Sequence, residues 1–351
     1  MTEKLPAATL LKVGVAAAGQ IAKVLHIHEW EESPDCELIA IYNGDLSFIP
    51  DVIKEYEPKG VKFYDDFDEF LASGVQAISV CERNFLHAPL AIKALQAGVH
   101  VLCEKPMATN LEDARGMIDA GKEGGALLMI DQSQRYSPVH QKAKEVIESG
   151  VLGKMYHLQT TFGHSGPENW SPTAQWFFQK KYSGFGPLAD LGVHKADLIR
   201  FLTRKEVKRV CGFKATLEKQ NTDVEDNSVA ILEFTDGTMG TLCTSWTTKG
   251  TEDNSFTAFC EKGTLRISVE PGNPLVVYSA ELGGKITFDV PPMQTNVEGQ
   301  WFLGVVQDFV DAILGRKPCP IPGEEGYKAL EIIVALDRSC ETGQWVELPL
   351  R

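Results

Sequence analysis

Short, continuously apolar runs alternate with helix-like stretches over the first third of the chain. The apolar runs span residues 11–15, 38–42, 77–81, 99–103 and 126–130. Helical patterns begin near residue 20 and also cover 87–97 and 110–121. A strand that is apolar on both faces must be covered on both faces, so this alternation predicts a parallel sheet with helices on each side. We expect a doubly wound α/β domain over residues 1–131.

The pattern changes after residue 131. A helix is predicted over 137–149, and alternating apolar and polar positions then mark the strand-like runs 155–162, 207–217, 227–234, 239–247, 255–260, 264–269 and 275–278. Such runs, joined by turns like Thr235-Asp236-Gly237, predict a large open sheet that is mainly antiparallel. Two late helical patterns, 301–314 and 324–342, are expected to cover this sheet. A second α/β domain is therefore predicted over residues 132–351.

The balance of charges excludes one class of partner. The chain of 351 residues has 34 basic and 48 acidic side chains, and its net charge is −14. This charge repels a nucleic-acid backbone and an anionic lipid surface. No stretch approaches the ~18 uncharged apolar residues that span a bilayer, and residues 1–6 lack the basic-then-apolar order of a secretion signal. We expect a cytoplasmic protein that binds neither nucleic acid nor a membrane.

The eight cysteines are dispersed along the chain. They form no CxxC pair and no dense framework, so the sequence indicates neither a disulfide scaffold nor a zinc site. We expect reduced, mostly buried thiols and no bound metal.

A small-residue segment follows the first predicted strand and opens a helix. In residues 14–22, Gly-Val-Ala-Ala-Ala-Gly-Gln-Ile-Ala, the backbone N–H groups at the helix start can bind a pyrophosphate. Of the three glycine positions of the dinucleotide fingerprint, only the central one is glycine, with Ala17, Gly19 and Ala22 at the three places. A tight strand-to-helix turn that binds no ligand would have the same appearance.

Asn43 ends the second strand, where an acid selects NAD and a nearby arginine selects NADP. Asn43 is neutral and the following Gly44 is not basic, so neither rule is met. We expect NAD, because no cation is at hand for the additional phosphate of NADP, and NADP stays the alternative.

The motif Cys103-Glu104-Lys105-Pro106 lies at the carboxyl end of a predicted strand, the edge where doubly wound sheets bind their ligands. A lysine at that edge can donate a hydrogen bond to a substrate oxygen and stabilise an alkoxide as it forms. The alternative for Lys105 is a surface lysine paired with Glu104.

A polar face is predicted within the apolar segment 184–197. If Pro187 begins a helix, Asp190, His194 and Asp197 lie at i, i+4 and i+7 on one face. Histidine can act as a general base, and the carboxylates can orient the imidazole or bind sugar hydroxyls. A buried histidine with satisfied hydrogen bonds is the alternative, and a metal site lacks a third ligand here.

These segments together resemble the family named for glucose–fructose oxidoreductase, inositol dehydrogenase and the rhizopine-catabolism protein. Its members are nicotinamide-dependent oxidoreductases that act mostly on sugars and polyols. The resemblance covers nearly the whole chain and is carried, in order, by Asn84-x-x-His87 with 97–101, Glu104-Lys105-Pro106, Arg135-Tyr136-Ser137-Pro138, Gly150-Val151-Leu152-Gly153 and Asp190-x-Gly192-x-His194-x-x-Asp197. The family fold is a Rossmann domain followed by an α/β domain with a large open sheet.

The resemblance implies roles for individual residues. Lys105 and His194 are the implied catalytic pair, and Asp190 binds substrate and supports His194. The implied cofactor contacts are Ala17, Gly19, Gln20, Ile21, Asn43, Cys81, Glu82, Asn84, His87, Glu104 and Lys105. The substrate contacts that we expect are Lys105, His164, Trp176, Asp190 and His194.

His164 and Trp176 belong to a loop region whose composition suits a sugar. Aromatic faces beside hydrogen-bonding groups match a pyranose ring, which has apolar C–H patches and many hydroxyls. An ordinary loop packed by its own tryptophans is the alternative. The pair Glu82-Arg83 departs from the threonine–proline pair usual in the family, and Arg83 either meets a cofactor phosphate or forms an ion pair with Glu82 or a neighbour.

The implied function is hydride transfer between a nicotinamide cofactor and a secondary hydroxyl or ketone of a sugar, glycoside or cyclitol. One alternative is a relative that recycles bound NAD while it cleaves a glycosidic bond by elimination. Another is a sensor that binds dinucleotide without catalysis, although Lys105, Asp190 and His194 argue against it. Open sheet faces in this family commonly pair, so a homo-oligomer, either a dimer or a tetramer, is expected.

Overall fold

The computed structural model describes residues 10–171, 174–295 and 301–350. The predictions about residues 1–6 lie outside this range. Among the described residues, no helix is both long enough and apolar enough to cross a membrane.

The first sheet has six parallel strands in the order β3-β2-β1-β4-β5-β6. Its strands are β1 Leu11–Ala16, β2 Cys36–Tyr42, β3 Lys62–Tyr64, β4 Ala77–Val80, β5 His100–Glu104 and β6 Leu128–Asp131. Its helices are α1 Ile27–Glu32, α2 Pro50–Tyr56, α3 Phe67–Ala72, α4 Asn84–Gln96 and α5 Leu111–Gly124, and a π-helical turn, Ala22–His26, leads into α1. This strand order is that of a Rossmann domain, as predicted. The short and only half-buried β3 was not predicted, because it has no apolar run.

The second sheet has nine strands in the order β14-β13-β12-β11-β7-β10-β9-β8-β17. All neighbouring strands are antiparallel except β7 and β10. In chain order the strands are β7 Met155–Gly163, β8 Val207–Ala215, β9 Asn227–Phe234, β10 Met239–Ser245, β11 Phe256–Cys260, β12 Gly263–Glu270, β13 Asn273–Ser279, β14 Gly284–Thr287, the separate pair β15 Gln294–Thr295 and β16 Trp301–Phe302, and β17 Val346–Glu347. The predicted fold class, a Rossmann domain plus an α/β domain with a large, mainly antiparallel sheet, is confirmed.

One face of the second sheet packs against helices and the other is open. The helices of this half are α6 Pro138–Glu148, α7 Lys180–Ser183, α8 Val193–Thr203, α9 Val305–Ile313 and α10 Gly323–Thr342. Side chains of α6, α8 and α10 share an apolar core with one face of the sheet. On the open face, the strand register brings four exposed apolar side chains together: Phe213, Val229, Ile231 and Met239.

The late segment 301–314 differs from its prediction. Trp301–Phe302 is a short strand, α9 begins only at Val305, and this helix packs in the core of the Rossmann domain rather than on the second sheet. Its buried residues include Val305, Val306, Phe309 and Val310, and full burial of such a side chain stabilises by roughly 1.5–3 kcal/mol. The apolar period of α9 predicts a buried face, but it does not say which sheet covers that face.

Candidate active site

The turn after β1 leaves the start of the first helix open. Ala17 has a left-handed backbone, φ +73°, and its N–H donates to Tyr42 O at 2.7 Å. Gly19 and Gln20 are exposed, and a Cβ added to Gly19 would have no neighbour within 4 Å. The N–H groups of Gly19, Gln20 and Ile21 precede the first helical hydrogen bond and have no acceptor within the helix. Such a helix start fits a pyrophosphate.

Asn43 braces this turn from the end of β2. Its Oδ1 accepts from Ala18 N at 3.3 Å, and its Nδ2 donates to Asp45 O at 2.7 Å. Asp45 itself is exposed, and its carboxylate accepts two hydrogen bonds from Ser47, which lower the pKa of that carboxyl. The end of β2 therefore carries a negative charge two residues beyond the neutral Asn43.

The residues expected beside the nicotinamide follow β4. Cys81 is buried, and its N–H donates to Ala16 O at 2.9 Å. His87 lies between two carbonyl oxygens, with Nε2 2.6 Å from Glu82 O and Nδ1 2.8 Å from Pro106 O. Asn84 Nδ2 donates to Ser183 O at 2.9 Å. The polar atoms of Asn84 and His87 therefore tie together the loops that follow β4 and β5 and the end of α7.

Arg83 carries a charge at the same edge. It is exposed at the start of α4, and its backbone N–H donates to Glu82 Oε2 at 3.1 Å. Within the part of the chain that the structure describes, its guanidinium forms no ion pair within 4.0 Å. An ion pair with Glu82 or a neighbour, one of the two alternatives for Arg83, is therefore absent from these residues.

Lys105 follows β5 and points toward the second domain. The Lys105–Pro106 peptide bond is cis. The Lys105 ammonium donates to the backbone O of Asp190 at 2.8 Å and lies 3.3 Å from its Oδ1. The side chain is 17% exposed, and Glu104 accepts the backbone N–H of Lys105 rather than its ammonium. The alternative of a surface lysine paired with Glu104 is therefore wrong.

Asp190 is surrounded by donors. Trp246 Nε1 donates to Asp190 Oδ2 at 3.1 Å, and His164 Nε2 lies 3.5 Å from the same oxygen. Because His164 Nδ1 accepts the N–H of Gly166 at 3.0 Å, Nε2 carries the ring proton and faces Asp190. Burial acts to raise the pKa of Asp190, but Lys105, His164 and Trp246 outweigh it and hold that pKa well below its usual value. Asp190 is therefore a buried carboxylate that stays ionised.

His194 is the second residue of α8, just beyond a π-helical turn, Leu188–Gly192. The turn hydrogen-bonds Val193 N–H to Leu188 O, so it holds one residue more than an α-turn and changes the predicted i, i+4 alignment of Asp190 and His194. His194 is 9% exposed, and its buried Nδ1 has no hydrogen-bond partner among the described residues. Burial and the nearby Lys105 ammonium hold the pKa of His194 well below its usual value. The imidazole is neutral at pH 7 and can accept a proton.

Glu225 anchors the start of this helical segment. Its buried carboxylate accepts the N–H of Leu188 at 3.1 Å. A Cβ on Gly186 would lie 1.9 Å from Glu225 O, so only glycine allows the two backbones to approach this closely. The sequence pattern did not single out Glu225, since an acid between predicted strands is typical of a loop.

Asp197 lies outside the cluster around Asp190. Its carboxylate receives Arg135 Nε at 2.7 Å and a guanidinium nitrogen at 2.5 Å, and both side chains are buried. The expectation that Asp197 orients the imidazole or binds substrate is wrong. Its charge is already neutralised within the protein.

Trp176 reaches Asp190 through an aromatic cluster. Its ring stacks on Phe177 at 3.9 Å between centroids, and Phe177 meets Trp246 edge-on at 6.4 Å. Trp246 donates to Asp190, so the aromatic loop and the carboxylate form one contiguous wall. Trp246 could not be singled out from the sequence, because a tryptophan at the end of a predicted strand has the appearance of a core residue.

A Rossmann sheet with an open helix start, together with a lysine, an ionised carboxylate and a neutral histidine beyond its carboxyl edge, defines a nicotinamide-dependent oxidoreductase. Residues 11–132 match the family model described as "Oxidoreductase family, NAD-binding Rossmann fold". Residues 140–266 match the "GFO/IDH/MocA C-terminal domain". The chain belongs to the GFO/IDH/MocA family of oxidoreductases, which confirms the resemblance seen in its motifs.

Several characterised proteins are similar over almost their whole length. D-glucoside 3-dehydrogenase of Escherichia coli K12 is 29% identical, covering 96% of this chain and 97% of that protein. Myo-inositol 2-dehydrogenase of Thermotoga maritima is 27% identical, covering 96% and 98%. The structure of the WlbA dehydrogenase from Bordetella pertussis, in complex with NADH and UDP-GlcNAcA, has a TM-score of 0.83 and 26% identity, covering 98% of this chain and 100% of that one.

Proposed function

We propose that this protein is an NAD-dependent dehydrogenase that oxidises a secondary hydroxyl of a sugar, glycoside or cyclitol, or reduces the corresponding ketone. The observation that carries the proposal is the neutral His194, whose Nδ1 has no partner in the described part of the chain, in a cluster with the Lys105 ammonium and the ionised Asp190. His194 supplies a proton acceptor, and Lys105 supplies a fixed positive charge at the same place.

In this proposal each residue has one task. His194 accepts the proton of the substrate hydroxyl, and Lys105 donates a hydrogen bond to the oxygen as negative charge develops on it. Asp190 holds the Lys105 ammonium in place. NAD, when bound, supplies the acceptor for the hydride that leaves the carbon. The N–H groups of Gly19, Gln20 and Ile21 would hold the pyrophosphate.

The substrate class is supported by the site and by the relatives. His164 lies beside Asp190, and Trp176 adds an aromatic face that is linked to Asp190 through Phe177 and Trp246, an arrangement that suits a pyranose. The relatives named above act on a glucoside and on an inositol. NAD is favoured over NADP because the exposed Asp45 would repel an additional phosphate at the end of β2.

The test is the appearance of reduced nicotinamide, monitored by absorbance, when purified protein is mixed with NAD or NADP and a panel of aldoses, glycosides and inositols. We expect NADH to accumulate with one class of sugar and both Lys105→Ala and His194→Ala to lose most turnover. The matched controls are Lys142→Ala, at a partly exposed lysine of α6, and His100→Ala, at the opposite edge of the first sheet.

Wild-type rates in Lys105→Ala or His194→Ala contradict the proposed roles. Product analysis separates the remaining cases, because release of an aglycone without net NADH indicates glycoside cleavage with recycled NAD. Cofactor binding without turnover of any substrate indicates a sensor.

We also propose that the protein is a homo-oligomer that pairs through the open face of the second sheet. Phe213 and Ile231 on that face are 71% and 52% exposed, and contiguous exposed apolar side chains commonly mark interfaces between subunits. Ile231→Lys is expected to lower the mass measured by light scattering, whereas the same change at exposed Val269, on β12, is expected to leave it unchanged. An unchanged mass in Ile231→Lys contradicts this interface.

We also propose that the protein is located in the cytoplasm. All eight cysteines are unpaired thiols, which suits a reducing compartment. Fractionation of cells that express the tagged full chain tests this, and recovery outside the cytoplasm contradicts it.

A further inference from the structure

Buried polar side chains meet at His26, beneath the loop that carries Lys105. His26 ends the π-helical turn of the first helix, and its neighbours come from the ends of three adjacent strands. His26 and Asp131 are fully buried, and Glu104 is 7% exposed. No step proposed above uses this cluster.

His26 contacts each of these strands. Its Nε2 lies 3.1 Å from Glu104 Oε1 and 3.4 Å from Asp131 Oδ2. Its Nδ1 lies 3.0 Å from Ser79 Oγ, which also accepts from Trp30 Nε1 at 2.8 Å. The second oxygen of Glu104 accepts the backbone N–H of Lys105 at 3.0 Å. A continuous chain of hydrogen bonds therefore runs from His26 through Glu104 to Lys105.

This orientation departs from the expected role of Glu104 as a cofactor contact. Each carboxylate oxygen is engaged inside the protein, one by the imidazole and one by the Lys105 backbone. The pKa shifts of His26 and Glu104 are consistent with a tight ion pair between these two side chains. Burial disfavours a charged imidazole, but Cys81, Glu104 and Asp131 outweigh it and raise the pKa of His26.

The pKa values of the two carboxyl groups are shifted in opposite directions. Burial opposes ionisation of Glu104, yet the hydrogen bond and charge of His26 lower its pKa. Burial and the charge of Glu104 raise the pKa of Asp131, whose oxygens accept no hydrogen bond from the described residues. These shifts favour an ion pair between His26 and Glu104 and oppose ionisation of Asp131 beside it.

We propose that His26 is a positioning residue for hydride transfer: through Glu104 it fixes the backbone of Lys105 and thereby the Lys105 ammonium against Asp190. The proposal rests on the proposed role of Lys105. His26 is the last residue of the π-turn in the helical segment that begins at Gln20, where the pyrophosphate is proposed to bind, and continues as α1. His26 therefore braces the cofactor helix and the lysine loop against each other.

The test compares His26→Ala, His26→Gln, Glu104→Gln and the double variant His26→Ala/Glu104→Gln, each with the best substrate of the panel. A displacement of about 1 Å at a catalytic group can cost up to about 100-fold, so we expect kcat to fall at least about tenfold in His26→Ala. The dissociation constant for NADH, measured by fluorescence, is expected to stay within about threefold of wild type. The amide of His26→Gln offers a donor to Glu104 and is expected to recover part of kcat.

Because His26 acts through Glu104, the double variant should be no slower than Glu104→Gln alone. A substrate deuterated at the reacting carbon should show a larger isotope effect on kcat in His26→Ala, since hydride transfer becomes slower. His100→Ala is the matched control. His100 is a half-buried histidine on β5, the strand that ends at Glu104. Its Nδ1 accepts the N–H of Leu127 far from Glu104, so its removal should leave kcat unchanged.

Several results would overturn the inference. Full kcat in folded His26→Ala, or strictly additive losses in the double variant, would make His26 a purely structural residue. If His26→Ala does not fold, the same comparison uses His26→Gln. Three ligand atoms of His26, Glu104 and Asp131 lie within 4.8 Å of one another, so one metal ion per wild-type chain, lost in the His26 variants, would instead indicate a metal site.

Lys105→Ala is assayed in the same series. Wild-type turnover in that variant would contradict the proposed function itself. An inactive Lys105→Ala beside a fully active His26→Ala would contradict only this inference.

Discussion

The ammonium of Lys105 lies 3.3 Å from the carboxylate of Asp190, a residue 85 positions further along the chain. Lys105 follows β5 of the Rossmann sheet, whereas Asp190 lies in the π-helical turn that leads into α8 of the second domain. The ion pair therefore joins the two halves of the molecule where hydride transfer is proposed. Both side chains are largely buried, so the position of one determines that of the other.

Loss of the Asp190 charge should slow the reaction. In Asp190→Asn the Lys105 ammonium loses its counterion and its fixed position, and we expect kcat to fall about 100-fold, as when one preorganised electrostatic group is removed. Steady-state kinetics with the best substrate measure this. Asp197→Asn is the control, since that carboxylate bonds Arg135; it should lower thermal stability and leave kcat of the folded protein near wild type. Equal kcat losses in the two variants would contradict a specific role for Asp190.

The acid side of the pH profile should reflect His194. Burial and the Lys105 charge lower its pKa, so the imidazole stays deprotonated and able to accept a proton below pH 6.5. We expect kcat/KM for oxidation to remain level down through pH 6.5 and to fall only in more acidic solution. In Lys105→Met the largest charge effect that lowers this pKa is removed, and the acid limb of the residual activity should move upward toward pH 6.5. An acid limb near pH 6.5 in the wild type would contradict a depressed His194 pKa.

Removal of one donor to Asp190 should have a smaller effect. Trp246→Phe keeps the aromatic packing and removes the indole N–H that lies 3.1 Å from Asp190 Oδ2. A hydrogen bond to a charged group contributes about 1.5–3 kcal/mol, so we expect kcat to fall about tenfold or more. Trp345→Phe, at an exposed tryptophan, controls for the substitution itself. Unchanged kinetics in Trp246→Phe would show that Lys105 and His164 hold Asp190 without it.

Breaking the buried Arg135–Asp197 pair should destabilise the fold. Arg135→Met leaves the Asp197 carboxylate buried without its partner, and we expect a loss of about 3–5 kcal/mol in the free energy of unfolding. Urea unfolding measures this loss. Replacing both residues, Arg135→Met with Asp197→Leu, removes both charges and should recover part of it. A change within ~1 kcal/mol in Arg135→Met alone would mean that Asp197 is neutralised by another group.

The fold could be predicted from the chain to a large extent, because the signals that mark it are local. Five of the six Rossmann strands appear as continuous apolar runs, and seven of the nine strands of the second sheet appear as two-residue alternation, whereas the short β14 and β17 were not predicted. Both patterns follow from the geometry of a single element and the side of it that is buried. The segment with Lys105 and the segment with Asp190 and His194 could be singled out in the same way, since each concentrates polar groups within an apolar stretch.

The chain by itself thus determined the class of fold, the small-residue turn after β1 and the three polar groups proposed to act in the reaction. Only the tertiary structure decided that Trp246 and His164, from the ends of β10 and β7, converge on Asp190. It also decided that Asp197 forms an ion pair with Arg135, that Glu104 hydrogen-bonds His26 and that α9 packs in the Rossmann core. The physical reason is that periodicity specifies which face of an element is buried, whereas the partner of a buried polar group depends on strand register and on the packing of segments far apart in sequence.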